Sequence, residues 1–101
     1  MNWTPDDAQR ICCHLIHNLE KAYPGRGWKA PDPDGEDGLV VFSNSDGFRV
    51  AVIISREALS DYEEADESNK ARKEHQLASC LEKIDESGRR EALIRSDHLA
   101  P

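Results

Sequence analysis

From Ala8 onward, apolar residues return every three or four positions. Ala8, Ile11, Cys12, Leu15, Ile16, Leu19, Ala22 and Tyr23 share one face at a helical advance of about 100° per residue. The flanks carry matching boundary signals. Thr4 can cap, Pro5 suits the first helical position, Asp6 and Asp7 complement the positive end of the dipole, and Pro24-Gly25 ends the run. This pattern predicts a helix over 5–22, with Trp3 packing back on its first turn. Cys13, His14 and His17 fall outside the apolar stripe.

The period then changes to two. Residues 39–43 and 48–55 are rich in Val, Ile and Phe and read as strands joined by Asn44-Ser45-Asp46-Gly47. A two-residue Asp46-Gly47 turn would pair Ser45 with Phe48, whereas a three-residue loop with left-handed Gly47 pairs Asn44 with Phe48. The second register gathers Val40, Phe42, Phe48, Val50, Val52 and Ile54 on one face and leaves Ser43, Arg49 and Ala51 on the other. A one-residue slip would destroy that division, so the three-residue loop is expected. Leu39, Val41 and Ile53 make the second face partly apolar as well, and a sheet with two apolar faces needs two covers.

Pro24, Pro31 and Pro33 with Gly25, Gly27, Gly35 and Gly38 mark 24–38 as a loop, with a short edge strand over 26–30 around Trp28. Ser55 can cap a short helix over 56–59, and 60–69 is polar apart from Tyr62 and Ala65. Leu77, Ala78, Leu81 and Ile84 predict a helix over 70–86 that Gly88 breaks. Ala92, Leu93 and Ile94 suggest a last short helix over 89–95, followed by a frayed tail at 98–101. The whole chain, 1–101, reads as one α+β domain with a two- or three-stranded antiparallel sheet, in the order α-β-β-α or α-β-β-β-α.

Charge adds a feature that periodicity does not show. The net charge of −7 is concentrated in residues 32–67, where eleven acids face only Arg49 and Arg56, while the segments on either side are each slightly basic. An acidic balance opposes direct binding to nucleic acid or an anionic membrane, since phosphate binding needs clustered Lys and Arg. No apolar run exceeds residues 50–54, far short of the ~20 of a membrane helix. Three cysteines, two of them adjacent, make a poor disulfide framework, and the first residues lack the basic and apolar regions of a secretory signal. A cytoplasmic location is therefore expected.

Candidate chemistry is sparse. Cys13 and His17 are four apart with His14 between them, but no CxxC, HxxxH or His-Glu-x-x-His pattern completes a zinc site. Residues 32–38 alternate acids and glycines as a calcium loop does, yet the twelfth position is Ser43 rather than a bidentate Glu. Cys80 with His75 or His98 could pair as nucleophile and base, but Cys80 lies beside the apolar stripe, and no nucleophile elbow or phosphate loop is present. No enzymatic activity, metal or cofactor is expected. The acids themselves are the candidate site: Asp32, Asp34, Glu36 and Asp37 precede the hairpin, and Asp61, Glu63, Glu64, Asp66 and Glu67 follow it. Because positions 39 and 54 lie at the same end of the hairpin, the two runs are expected to emerge together. Trp3, Trp28 and Tyr62 are candidate interface anchors, with Trp3 and Trp28 expected simply to cover the core ends.

The order of elements resembles that of double-stranded-RNA-binding domains. That family carries basic residues at the start of its last helix, where this chain has the acidic run 61–67. In size and charge the chain is similar to small acidic phage inhibitors of the anti-CRISPR and anti-restriction type. The expected function is a non-enzymatic protein-binding module, a regulator or inhibitor whose partner presents a basic surface. A nucleic-acid-mimicking inhibitor of a defence complex and a homodimeric structural or adaptor protein are the alternatives.

Overall fold

Thr4 accepts the Asp7 backbone N–H and the Asp7 carboxylate accepts the Thr4 N–H, a reciprocal capping box that starts α1 (Pro5–Ala22) at the expected boundary. A computed structural model describes residues 3–31, 35–44 and 46–99. Ala8, Ile11, Cys12, Leu15 and Leu19 are buried along one side of α1, and Cys13, His14 and His17 are exposed on the other. The strands β1 (Gly38–Ser43) and β2 (Arg49–Ile54) pair antiparallel with Gly38 opposite Ile54 and Ser43 opposite Arg49. Asn44 N–H donates to the Phe48 carbonyl at 2.8 Å, and Gly47 adopts φ +83°, so the three-residue loop is the one formed. Val40, Phe42, Val50, Val52 and Ile54 are all buried on the inner face. Phe48, expected with them, is half-exposed, and the Arg90 guanidinium lies 4.3 Å over its ring.

Ser55 caps α2 (Arg56–Glu64) by accepting the Ala58 N–H, and Asp66 caps α3 (Glu67–Ser87) by accepting the Asn69 N–H. Both helices exceed their expected spans, because the polar residues 60–69 form helix apart from a two-residue junction at Ala65-Asp66. Gly88, left-handed at φ +74°, ends α3.

The segment after it departs from expectation. Residues 89–95 do not form a helix: β3 (Glu91–Ile94) pairs parallel with β2, giving a mixed sheet in the order β1-β2-β3. The two helices between β2 and β3 supply the long crossover that a parallel pair requires. The edge strand expected over 26–30 is reduced to a bridge between Lys29 and Val41. His98 and Leu99, expected in a frayed tail, belong to a 3₁₀ turn (Ser96–Leu99), and Leu99 is buried in the core. α1, α2, α3 and that turn all contribute to one apolar cluster with the inner face of the sheet. The α+β class follows directly: a helical layer on one face of a three-stranded sheet. None of the helices among the described residues is long and apolar enough to cross a membrane.

Candidate docking surface

The acidic residues are organised around α2. At its start, the Asp37 carboxylate accepts the Arg56 backbone N–H at 2.8 Å, where the unpaired amides of a helix favour negative charge. Glu36 pairs with the Arg56 guanidinium at 3.0 Å, and its carbonyl accepts the Trp3 indole N–H at 2.7 Å. Arg56 also lies 5.7 Å over the Trp3 ring. Trp3 is thus half-buried against the core edge and ties the 35–37 segment to the start of both α1 and α2.

At the far end of α2, Glu63 pairs with Arg10 of α1 at 2.9 Å, and Arg10 also approaches Asp7 at 3.7 Å. The Glu63 carboxylate holds the Arg10 guanidinium more firmly protonated than usual, with Asp7 adding to it. Asp7 titrates below the ordinary aspartate value, chiefly because the Thr4 backbone N–H and hydroxyl donate to it. Asp61 turns the other way and accepts a hydrogen bond from Ser96 of the 3₁₀ turn. Asp66 is occupied as the α3 cap. Glu64 and Glu67 are exposed and have no ion pair or hydrogen bond among the described residues. Asp32 and Asp34 lie outside the described residues.

Gly38 opposite Ile54 brings Glu36, Asp37 and the start of α2 to one end of the hairpin, and α2 then carries the second run away from Glu36 and Asp37. Nine helical residues separate the Glu36–Asp37 end from the α3 cap, a distance of roughly 13 Å at 1.5 Å per residue. Between α1 and α2 runs an open groove of about 450 Å³ lined by Trp3, Asp7, Arg10, Arg56, Ser60 and Glu63, with Glu64 at its margin. Opposite charges alternate along its walls. A shallower recess lies between Trp28, Phe42 and α3, bridged by the Arg26–Asp85 ion pair at 3.2 Å.

Tyr62 is not an exposed interface anchor. It is buried, its hydroxyl donates to Glu74 of α3, and Asn18 of α1 donates to the same carboxylate oxygen at 2.8 Å. Burial first, and then the neighbouring Glu74, raise the Tyr62 phenol well above its ordinary value. This bolt through three helices could not be read from the sequence, because Glu74 is one acid among many until the helices are placed. Trp28 covers the core, stacked 4.9 Å from Phe42 with its indole N–H donating to the Tyr23 carbonyl.

The cysteines and histidines do not converge. Burial pushes the Cys12 thiol up to about 12, with adjacent Cys13 adding to the shift. Cys80 packs half-buried against the core, while His75 and His98 are exposed. Among the described residues no three His, Cys, Asp or Glu side chains are grouped to hold a metal ion. What the surface offers chemically is therefore a shoulder of carboxylates, two of them braced by arginines and others open to solvent.

Set against known proteins, the chain matches no family model, no curated protein sequence and no solved structure.

Proposed function

We propose that the protein is a non-enzymatic acidic binding module, a cytoplasmic regulator or inhibitor that docks its α2–α3 shoulder on a basic surface of another protein. The observation carrying this reading is that Asp61, Glu63, Glu64, Asp66 and Glu67 are all exposed around one helix junction, with Glu64 and Glu67 unpaired there among the described residues. Carboxylates held on helices keep a fixed spacing, so their field is focused and steers a basic partner at low salt. The Arg10–Glu63 and Arg56–Glu36 pairs support the same reading by bracing the shoulder against α1 and the 35–37 segment.

Affinity capture with wild type and with the double variant Glu64→Gln/Glu67→Gln tests this. Proteins retained by wild type alone, and released as salt shortens the Debye length to a few ångströms, support the docking surface. An identical set on both baits refutes it. If the retained protein handles nucleic acid and duplex DNA competes with the module for it, the partner's surface is a nucleic-acid groove and the module is a mimic. Self-association is the second reading, favoured by a different observation, the exposure of Ile53 and Leu93 on neighbouring strands of the sheet.

A further inference from the structure

The sheet order β1-β2-β3 leaves β3 at an edge, and its ladder fixes which backbone groups are open. Ala51 N–H donates to the Arg90 carbonyl and Ser55 N–H to the Ile94 carbonyl, each at 2.8 Å. Backbone groups alternate in direction along a strand. Arg90, Ala92 and Ile94 therefore turn theirs to β2, while Glu91, Leu93 and Arg95 turn theirs away from it. Arg95 fits that phase, since its N–H leaves the ladder for His98 Nδ1 at 2.9 Å. Among the described residues nothing takes up the outward N–H and C=O of Glu91 or Leu93. Such a row is a template for a further strand.

The side chains along the row indicate which strand. Opposite charges stabilise a cross-strand pair and like charges oppose it. An antiparallel strand centred on Leu93 therefore needs a basic residue opposite Glu91, an apolar one opposite Leu93 and an acidic one opposite Arg95. Read from its own N-terminus, that strand is acidic, apolar and basic at alternate positions. Glu91, Leu93 and Arg95 of β3 are themselves that pattern. Both charged residues are exposed and open to a new partner. Glu91 has no ion pair among the described residues, and the Arg95 guanidinium meets Asp97 at 3.6 Å with both side chains largely in water.

We infer that β3 pairs antiparallel with β3 of a second copy, joining the two three-stranded sheets edge to edge across a two-fold axis at Leu93. Leu93 N–H donates to the second copy's Leu93 carbonyl, and Glu91 N–H to its Arg95 carbonyl, each bond returned by symmetry. Glu91 of each copy meets Arg95 of the other. Arg95 N–H stays with His98, which ends the pairing there, and Arg90 stays over Phe48. The −7 charge of each copy opposes association, but a Debye length of about 8 Å screens it while the opposed pairs lie in contact. A four-residue strand buries little surface, so the association is transient. Its Kd is expected at about 0.1 mM or above. This inference rests on the self-association reading and is independent of the acidic shoulder.

Sedimentation equilibrium over roughly 10–1,000 µM tests it. Wild type is expected to follow a monomer–dimer equilibrium. Glu91→Arg and Arg95→Glu each set like charges opposite one another, and each alone is expected to weaken association about tenfold. Mixed in equal amounts, the two variants are expected to recover most of it, because every charge then faces its opposite. Leu93→Pro removes a donor that the ladder to β2 does not use, and is expected to stay monomeric. Circular dichroism checks that each variant keeps the fold. A wild type monomeric at every concentration overturns self-association and this inference together. A dimer unchanged in both charge variants, or a mixture no more associated than its components, leaves self-association standing and overturns the pairing along β3.

Discussion

Gly38 begins β1 directly under two core side chains. A Cβ built there would lie 2.3 Å from Cys12 Sγ and 2.8 Å from Leu59 Cδ1, so even one added carbon makes these buried side chains shift within the packed core. Gly38→Ala is expected to destabilise by about 1–3 kcal/mol, read as a lower urea midpoint with an unchanged slope. Cys12 and Tyr62 link the stability of the same core to alkaline pH. Each has a raised proton affinity in the folded state, so each contributes stability that is present below its unfolded value and lost as pH rises through its folded one. For Cys12 the loss runs from its ordinary value of 9.0 towards about 12. Stability is therefore expected to fall steadily above pH 9, and Cys12→Ser/Tyr62→Phe, measured by denaturation across that range, should flatten the slope. Asp7 works in the opposite direction. Its carboxyl is depressed, so its contribution to the α1 start is complete above the ordinary 3.8 and disappears as pH falls below it.

β3 is the element on which sequence and structure part. The hairpin register was legible because six apolar positions alternate over two strands, and only one loop length keeps them together. The α1 boundaries were legible because cap, proline and stripe agree. Ala92-Leu93-Ile94 offered no such period: three adjacent apolar residues suit a helix or a strand equally. What decides is non-local, since β2 has a free edge and α2 and α3 supply the crossover to reach it. The structure turns that ambiguity into a test. In a strand Ile94 points inward and Leu93 outward, and they are 3% and 51% exposed. Ile94→Ala is expected to cost about 2–4 kcal/mol and Leu93→Ala less than about 1 kcal/mol, a contrast that denaturant unfolding of the two variants reads directly. The 3₁₀ turn beyond β3 also protects its end. The Arg95 backbone N–H donates to His98 Nδ1 at 2.9 Å, and the His98 N–H returns to the Arg95 carbonyl, so one stretch of an otherwise open edge is satisfied within the chain.

At the scale of the molecule, two surfaces of different character lie on one small domain: an acidic shoulder at the α2–α3 junction and an outer sheet face on which Ile53 and Leu93 are exposed. The concentration of acids in the middle of the chain was visible in the sequence, but their division of labour was not. Asp37 and Asp66 cap helices, Glu36 and Glu63 hold arginines, Asp61 takes Ser96, and Glu64 and Glu67 remain for a partner. A count of charges cannot separate these roles, because each depends on which backbone amide or guanidinium comes to lie beside it. The separation does specify which residues to change, since Glu64 and Glu67 can be neutralised without removing a cap or an ion pair. The most direct measurement is the salt dependence of partner binding for wild type and for Glu64→Gln/Glu67→Gln, with unfolding curves recorded in parallel. The account predicts unchanged unfolding within about 0.5 kcal/mol, weaker binding by the variant, and a shallower dependence on salt. Equal affinity and equal salt dependence in the two proteins would contradict it.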